Sequence, residues 1–274
     1  LVRNERLTPL GSIKMYNFEF VKPTTVAEAV AALKDEDAQP LSGGQTLIPT
    51  LKQRLNQPGT LVSLTGIAEL VGVSSSNGVL TIGGATPHAD VAEQASDYPA
   101  LAAMAGNIGD PAVRNRGTIG GSLANNDPSA CYPAAALASG ATIVTNAREI
   151  AADDYFDGMF ATALEEGEIS TGVKLPIPET ANYQKFEQPA SRFALTGVFV
   201  AKFADGVRVA VTGASNDGVF RWTEAEEALT ANFSVDAIAG LTVSGDDMIS
   251  DLHGSGAYRA HLVKVLTGRA VTAC

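Results

Sequence analysis

The chain has 274 residues, with 19 Lys and Arg against 30 Asp and Glu, a formal net charge of −11 and a sequence pI near 4.7. Such a surface repels polyanions, which excludes nucleic acid and anionic membranes as partners. No apolar run approaches the roughly 18 residues of a membrane span and no signal-peptide core opens the chain, so a cytoplasmic location follows by default.

Two cysteines, Cys131 and Cys274, are too few for a disulfide framework or an iron–sulfur cluster on this chain. His88, His253 and His261 are scattered without ligand spacing, so no metal site is expected, and each is read as a surface or core-edge histidine. The length calls for two or three subdomains.

Residues Leu1–Lys14 precede a methionine and read as a leader, an over-called start or a flexible arm. From Thr24 to Lys34 the apolar residues Val26, Ala29, Val30 and Leu33 share one helical face, with Thr24 or Thr25 as N-cap. A short strand then delivers the chain to Ser42, and Leu47–Leu55 resumes helical spacing. Val71, Val73, Leu80 and Ile82 around Ser76-Asn77-Gly78 predict a β-hairpin. Val91–Ala105 reads as helix, and Gly106–Asn126 as irregular except in short pieces. Pro176 and Pro178 mark a boundary. Beyond it, Val198 and Val200, an Asp205-Gly206 turn, and Val207, Val209 and Val211 predict a second hairpin. Glu224–Leu229 and Tyr258–Leu266 read as amphipathic helices. The resulting division is 15–70, 71–175 and a small α+β unit over 176–274, with 1–14 ahead of them.

Two glycine-rich runs carry the chemistry: Ser42-Gly43-Gly44-Gln45-Thr46-Leu47 and Gly117-Thr118-Ile119-Gly120-Gly121-Ser122. Adjacent glycines beside hydroxyl residues let bare backbone N–H groups approach a phosphate without an intervening Cβ. One such run alone reads as a tight turn or bulge; two suggest a diphosphate held from both sides. The first lies between a strand and a helix, where free N–H groups and the helix dipole favour an anion. No acid–base pair, nucleophile–base pair or metal cluster is evident, so no catalytic side chain is assigned. A nicotinamide-binding Rossmann unit is disfavoured, because no G-x-G-x-x-G follows a strand with an acidic residue at the usual distance.

The run Arg114-Asn115-Arg116-Gly117-Thr118-Ile119-Gly120-Gly121-Ser122-Leu123-Ala124-Asn125-Asn126-Asp127-Pro128, together with the first glycine turn, resembles the FAD-binding medium subunit of the molybdenum hydroxylases, relatives of carbon monoxide dehydrogenase, xanthine dehydrogenase and aldehyde oxidase. The likeness extends to Phe20–Ala29, to Tyr183–Phe186 with Pro189–Arg192, and to Ala257–Leu262, covering nearly all of the chain from Met15 onward. It implies an α+β fold: a two-subdomain, PCMH-type FAD-binding unit, as in the vanillyl-alcohol oxidase-like flavoproteins, followed by the small C-terminal domain.

On this resemblance Ser42, Gly43, Gly44, Gln45, Thr46 and Leu47 would meet the diphosphate from one side, and Thr118, Gly120, Gly121 and Ser122 from the other. Gln45 stands where some flavoproteins of related architecture carry a histidine linked to the flavin, so noncovalent FAD is expected. Many relatives have asparagine in place of Ser122, and an aspartate in place of Cys131. A thiol is a poor acceptor, so Asp127 or a water takes over the contact to a cofactor hydroxyl. Ile108 would pack near the flavin or adenine, Ile169 would supply backbone contacts to the adenine, and Lys185 would reach the cofactor from the cap domain. Arg114 and Arg116 either add positive charge near the diphosphate or form surface and subunit contacts.

The resemblance further implies a large subunit with a molybdenum cofactor and a small one with two [2Fe–2S] clusters, assembled as a dimer of heterotrimers. The flavin would pass their electrons to an outside acceptor. A free-standing flavin oxidoreductase and a cofactor-free scaffold are the alternatives. Turnover by the isolated chain would favour the first, and failure to take up FAD the second.

Overall fold

The computed structural model describes residues 15–274; the arm proposed at 1–14 lies outside the described residues. The chain opens with β1 (Glu19–Val21), α1 (Val26–Ala32), β2 (Ala38–Leu41), α2 (Leu47–Lys52) and β3 (Thr60–Ser63), whose strands make a parallel sheet of order β1-β3-β2. α1 begins where the sequence predicts it. The Thr25 hydroxyl accepts from the Glu28 N–H, while the Glu28 carboxylate accepts from the Thr24 N–H and hydroxyl. Its Ala29 and Leu33 are buried with Val62, Leu64, Ile67 and Leu70. The Ser42–Leu47 turn leaves the carboxyl end of β2, the side of a parallel sheet on which ligands are bound.

β4 (Val73–Ser76) and β5 (Val79–Gly83) form the expected hairpin, with Asn77 (φ 51°) and Gly78 (φ 76°) both in the left-handed region that a tight two-residue turn demands. The single helix expected over Val91–Ala105 is instead two, α3 (His88–Gln94) and α4 (Pro99–Gly106). Pro99 has no N–H to continue a helix and disfavours helical geometry in the residue before it, so it can only open the second. The stretch expected to be irregular contains α5 (Pro111–Arg114) and α6 (Ile119–Asn125). α7 (Cys131–Ser139) is buried at all nine positions. β6 (Thr142–Thr145), β7 (Glu149–Ala151), α8 (Ala152–Tyr155) and β8 (Ser170–Pro176) complete an antiparallel sheet of order β4-β5-β8-β6-β7.

The last sheet is antiparallel, in the order β12-β11-β10-β9, from β9 (Thr180–Phe186), β10 (Thr196–Phe203), β11 (Gly206–Ser215) and β12 (Gly218–Arg221). Both of its faces are covered. Phe199, Ala201 and Ala210 join the core around α7, and Val198, Val200, Val209 and Val211 pack with α9 (Thr223–Ala231) and α10 (Gly256–Ala273). α10 runs about two turns beyond the Tyr258–Leu266 segment that the sequence suggests. Arg259, 3% exposed, anchors it by donating to both Asp251 carboxylate oxygens and to the carbonyls of Leu195 and Gly213.

Candidate cofactor-binding site

The first glycine run is an open cradle. Gly44 has φ +69°, a conformation L side chains rarely adopt, and a Cβ there would lie 2.9 Å from Ile48 Cγ1. The backbone carbonyls of Gly44 and Thr46 accept from Ile48 and Thr50 as α2 begins. The N–H groups of Gly43, Gly44, Gln45, Thr46 and Leu47, by contrast, donate to nothing among the described residues. Thr46 caps α2 without a side-chain hydrogen bond, so its hydroxyl is also unused for capping. Five successive donors around a left-handed glycine match the donor set an anionic diphosphate requires.

The second run lies directly against the first. A Cβ on Gly43 would sit 2.1 Å from the Arg116 carbonyl oxygen and 2.6 Å from Gly117 Cα, and the Ser42 and Thr118 hydroxyls are 2.7 Å apart. The sequence reading of this run as a second N–H cradle is corrected by the hydrogen bonding. Thr118 is the N-cap of α6, its hydroxyl accepting from the Gly121 N–H. The Ile119 N–H donates to Thr86 O, Gly120 to Gly84 O and Ser122 to Thr118 O. Gly120 is a glycine because α6 crosses the 83–84 backbone closely, where a Cβ would lie 2.6 Å from Gly84 O. The N–H groups of Ile119, Gly120, Gly121 and Ser122 therefore serve the fold, while that of Thr118 donates to nothing among the described residues. The half-buried Ser122 side chain remains beside the first cradle's neighbour, Gly121, whose own Cβ position is 3.6 Å from Ser42 Cβ.

His88, which the sequence reading left as a surface or core-edge residue, supports this crossing from the core. It is 5% exposed, its N–H donates to Gly117 O, and its ring lies against Tyr132 at 5.2 Å. Burial, with the Arg114 charge adding to it, pushes its pKa down to about 4, so the imidazole is neutral. A Cβ on Gly117 would meet His88 Nε2 at 2.5 Å. No local sequence signal announces this role, because the partner lies 29 positions along the chain.

The Lys185 ammonium donates to the carbonyl of Asn107, the residue before Ile108, at 2.9 Å. Arg114 donates to the carbonyls of Ile108 and Gly109. Asp127 is half-buried and accepts from the Ser129 N–H, and burial raises its carboxyl pKa.

Two of the predicted contact residues are buried in the core. Ile169 is 3% exposed in the core under α1, its N–H already given to Asn146 Oδ1 and its carbonyl accepting from the Asn146 N–H, so its backbone is occupied. Cys131 opens α7 in the core at 4% exposure, next to Tyr183, and burial pushes its thiol pKa up. The neighbouring Asn126, which the sequence reading passed over, is 1% exposed at φ 41° and donates to the carbonyls of Gly158 and Ala161. An asparagine directly before Asp-Pro, at the end of a helical run, is the signal that marks it.

A parallel sheet with a row of free N–H groups at its carboxyl edge, braced by a second glycine run, has the donor geometry that an anionic diphosphate needs. Residues 16–178 match the family described as the FAD binding domain in molybdopterin dehydrogenase. The chain belongs to this family and is a flavoprotein oxidoreductase subunit. It is 32% identical to the carbon monoxide dehydrogenase medium chain of Afipia carboxidovorans, over 93% of this chain and 96% of that one. It is 31% identical to the nicotine 6-hydroxylase medium subunit of Paenarthrobacter nicotinovorans, over 94% and 98%. Among solved structures, it superposes on quinoline 2-oxidoreductase from Pseudomonas putida with a TM-score of 0.85 and 28% identity, over 95% of this chain and 97% of that one. Carbon monoxide dehydrogenase from Hydrogenophaga pseudoflava gives 0.84 and 31%, over 95% and 98%.

Proposed function

We propose that this chain binds FAD noncovalently, with the diphosphate on the Ser42–Leu47 turn, and relays electrons within a molybdenum hydroxylase. The observation that carries this reading is the row of unpaired N–H groups from Gly43 to Leu47 around left-handed Gly44. Ser122 and the α6 end of the braced second run flank the diphosphate, Ile108 and Lys185 lie toward the flavin, and Asp127 accepts from a cofactor hydroxyl. Gln45 offers no imidazole for a covalent link, and its exposed side chain donates to Gly43 O. When bound, flavin supplies one- and two-electron chemistry, and the protein binds, orients and tunes it. The Lys185 charge stabilises negative charge near it.

The donors of those electrons are [2Fe–2S] clusters on a small partner subunit, reduced in turn by a molybdenum-cofactor subunit, and the product electrons go to an external acceptor. The medium-chain and medium-subunit relatives support the presence of partner subunits; the proposed arrangement is a dimer of heterotrimers in the cytoplasm. Among the described residues, no helix is long and apolar enough to cross a membrane. The proposed division of the chain is 15–70, 71–175 and 176–274.

The test is acid precipitation of the holoprotein isolated with its co-purifying chains. FAD in the supernatant, with a cluster-bearing chain in the preparation, is the expected result. Flavin retained in the pellet, or none bound after incubation with FAD, refutes the proposal.

A further inference from the structure

A trough of about 720 Å³ runs along the outer face of α10 toward the 3₁₀ turn at Val235–Ile238 and β9. Its floor is apolar and shallow, formed by Ile238, Val265 and Gly268. A Cβ added to Gly268 would meet only Val235 Cγ1, at 3.5 Å, so the glycine leaves room for a close approach. The rim carries two cations, Arg269 and Lys264, whose ammonium also donates to the Ala239 carbonyl, with His261 beside them, against one carboxylate, Asp236. This concentration of positive side chains stands on a chain whose net charge is −11.

From these features we infer that the α10 trough is the seat of an acidic, amphipathic helical segment from a partner subunit. The inference rests on the multisubunit reading above. The trough spans His261 to Ala273, about 18 Å at the helical rise, which suits a segment of three to four turns. Its exposed walls would leave a small molecule wet, whereas a helix laid lengthwise buries one apolar stripe and sets carboxylates against the rim. A second copy of this chain is disfavoured by charge. A two-fold contact places a patch against itself, so Lys264 and Arg269 would face their own images.

The experiment uses the purified complex and the full-length chain. A zero-length carbodiimide cross-linker, followed by mass spectrometry, should couple Lys264 to an Asp or Glu of another subunit. The double variant Lys264→Glu/Arg269→Glu should weaken assembly at least tenfold by light-scattering chromatography, most strongly at low salt. Gly268→Leu, which fills the trough while improving helix propensity, should weaken assembly without lowering FAD content. Unchanged assembly of both variants overturns the inference, as does coupling of Lys264 to a second copy of this chain. A complex that forms with the trough open to hydrogen exchange overturns it while leaving the multisubunit reading intact. Failure of any other subunit to co-purify overturns both.

Discussion

Replacing Gly43 with alanine tests whether the two glycine runs act as one unit. The new methyl would sit 2.1 Å from the Arg116 carbonyl oxygen and 2.6 Å from Gly117 Cα, both backbone atoms that cannot rotate away. Ordinary contacts between carbon atoms lie near 3.5–4.0 Å, so the runs must part by on the order of 1 Å. That displacement breaks the 2.7 Å Ser42–Thr118 hydroxyl contact and tilts the row of free N–H groups away from the diphosphate. Overpacking of this kind costs about 1–3 kcal/mol, which is roughly a five- to hundredfold loss in FAD affinity if it falls on the bound state. Titration of FAD into apo protein, followed by flavin fluorescence, measures the affinity. Apo-protein melting shows how much of the cost falls on the fold. Ser42→Ala, which removes only the hydroxyl contact, should lie between wild type and Gly43→Ala. Wild-type affinity and stability in Gly43→Ala would refute the apposition of the two runs.

Gly120→Ala should instead reduce stability by roughly 1–3 kcal/mol, because its Cβ meets the Gly84 backbone at 2.6 Å; chemical denaturation of the apo protein measures this, and a loss of FAD affinity without a loss of stability would contradict it. Cys131 should resist a disulfide reagent such as Ellman's in the native state and react only after denaturation, since it is 4% exposed and burial raises its thiol pKa. Glu168 is held at about 2, below its usual 4.5, chiefly by the Arg148 guanidinium, with Thr145 and the Glu165 N–H also donating to it. A depressed acid stabilises above its unfolded pKa, so this contribution is complete above about pH 4.5 and fades as pH falls toward 2. Urea unfolding of Glu168→Gln should therefore show a deficit at pH 7 that shrinks at pH 3.

Local chemistry made much of the scaffold legible from sequence. Thr25 with Glu28 fixes the start of α1, and Asn77-Gly78 fixes a hairpin, because each depends on residues within four positions. The Ser42–Leu47 cradle was readable for the same reason: a left-handed glycine between a strand and a helix shows in its neighbours. α7 was not legible, since a helix buried on every side has no polar face to set a period. The break at Pro99 was written in the sequence but masked by apolar spacing that continued across it.

Only the tertiary structure decided what the second glycine run does. Gly120 and Gly121 have the same composition as the cradle, yet the Gly120 N–H goes to Gly84 O, a partner set by how α6 crosses β5's end, and the Gly121 N–H to the Thr118 N-cap hydroxyl. The same holds for Ile169 and Cys131, whose burial comes from elements distant in sequence, and for His88 beneath Gly117. A glycine's freedom to approach something is encoded locally. What it approaches, a phosphate or another backbone, is fixed by packing between segments that sequence spacing does not relate.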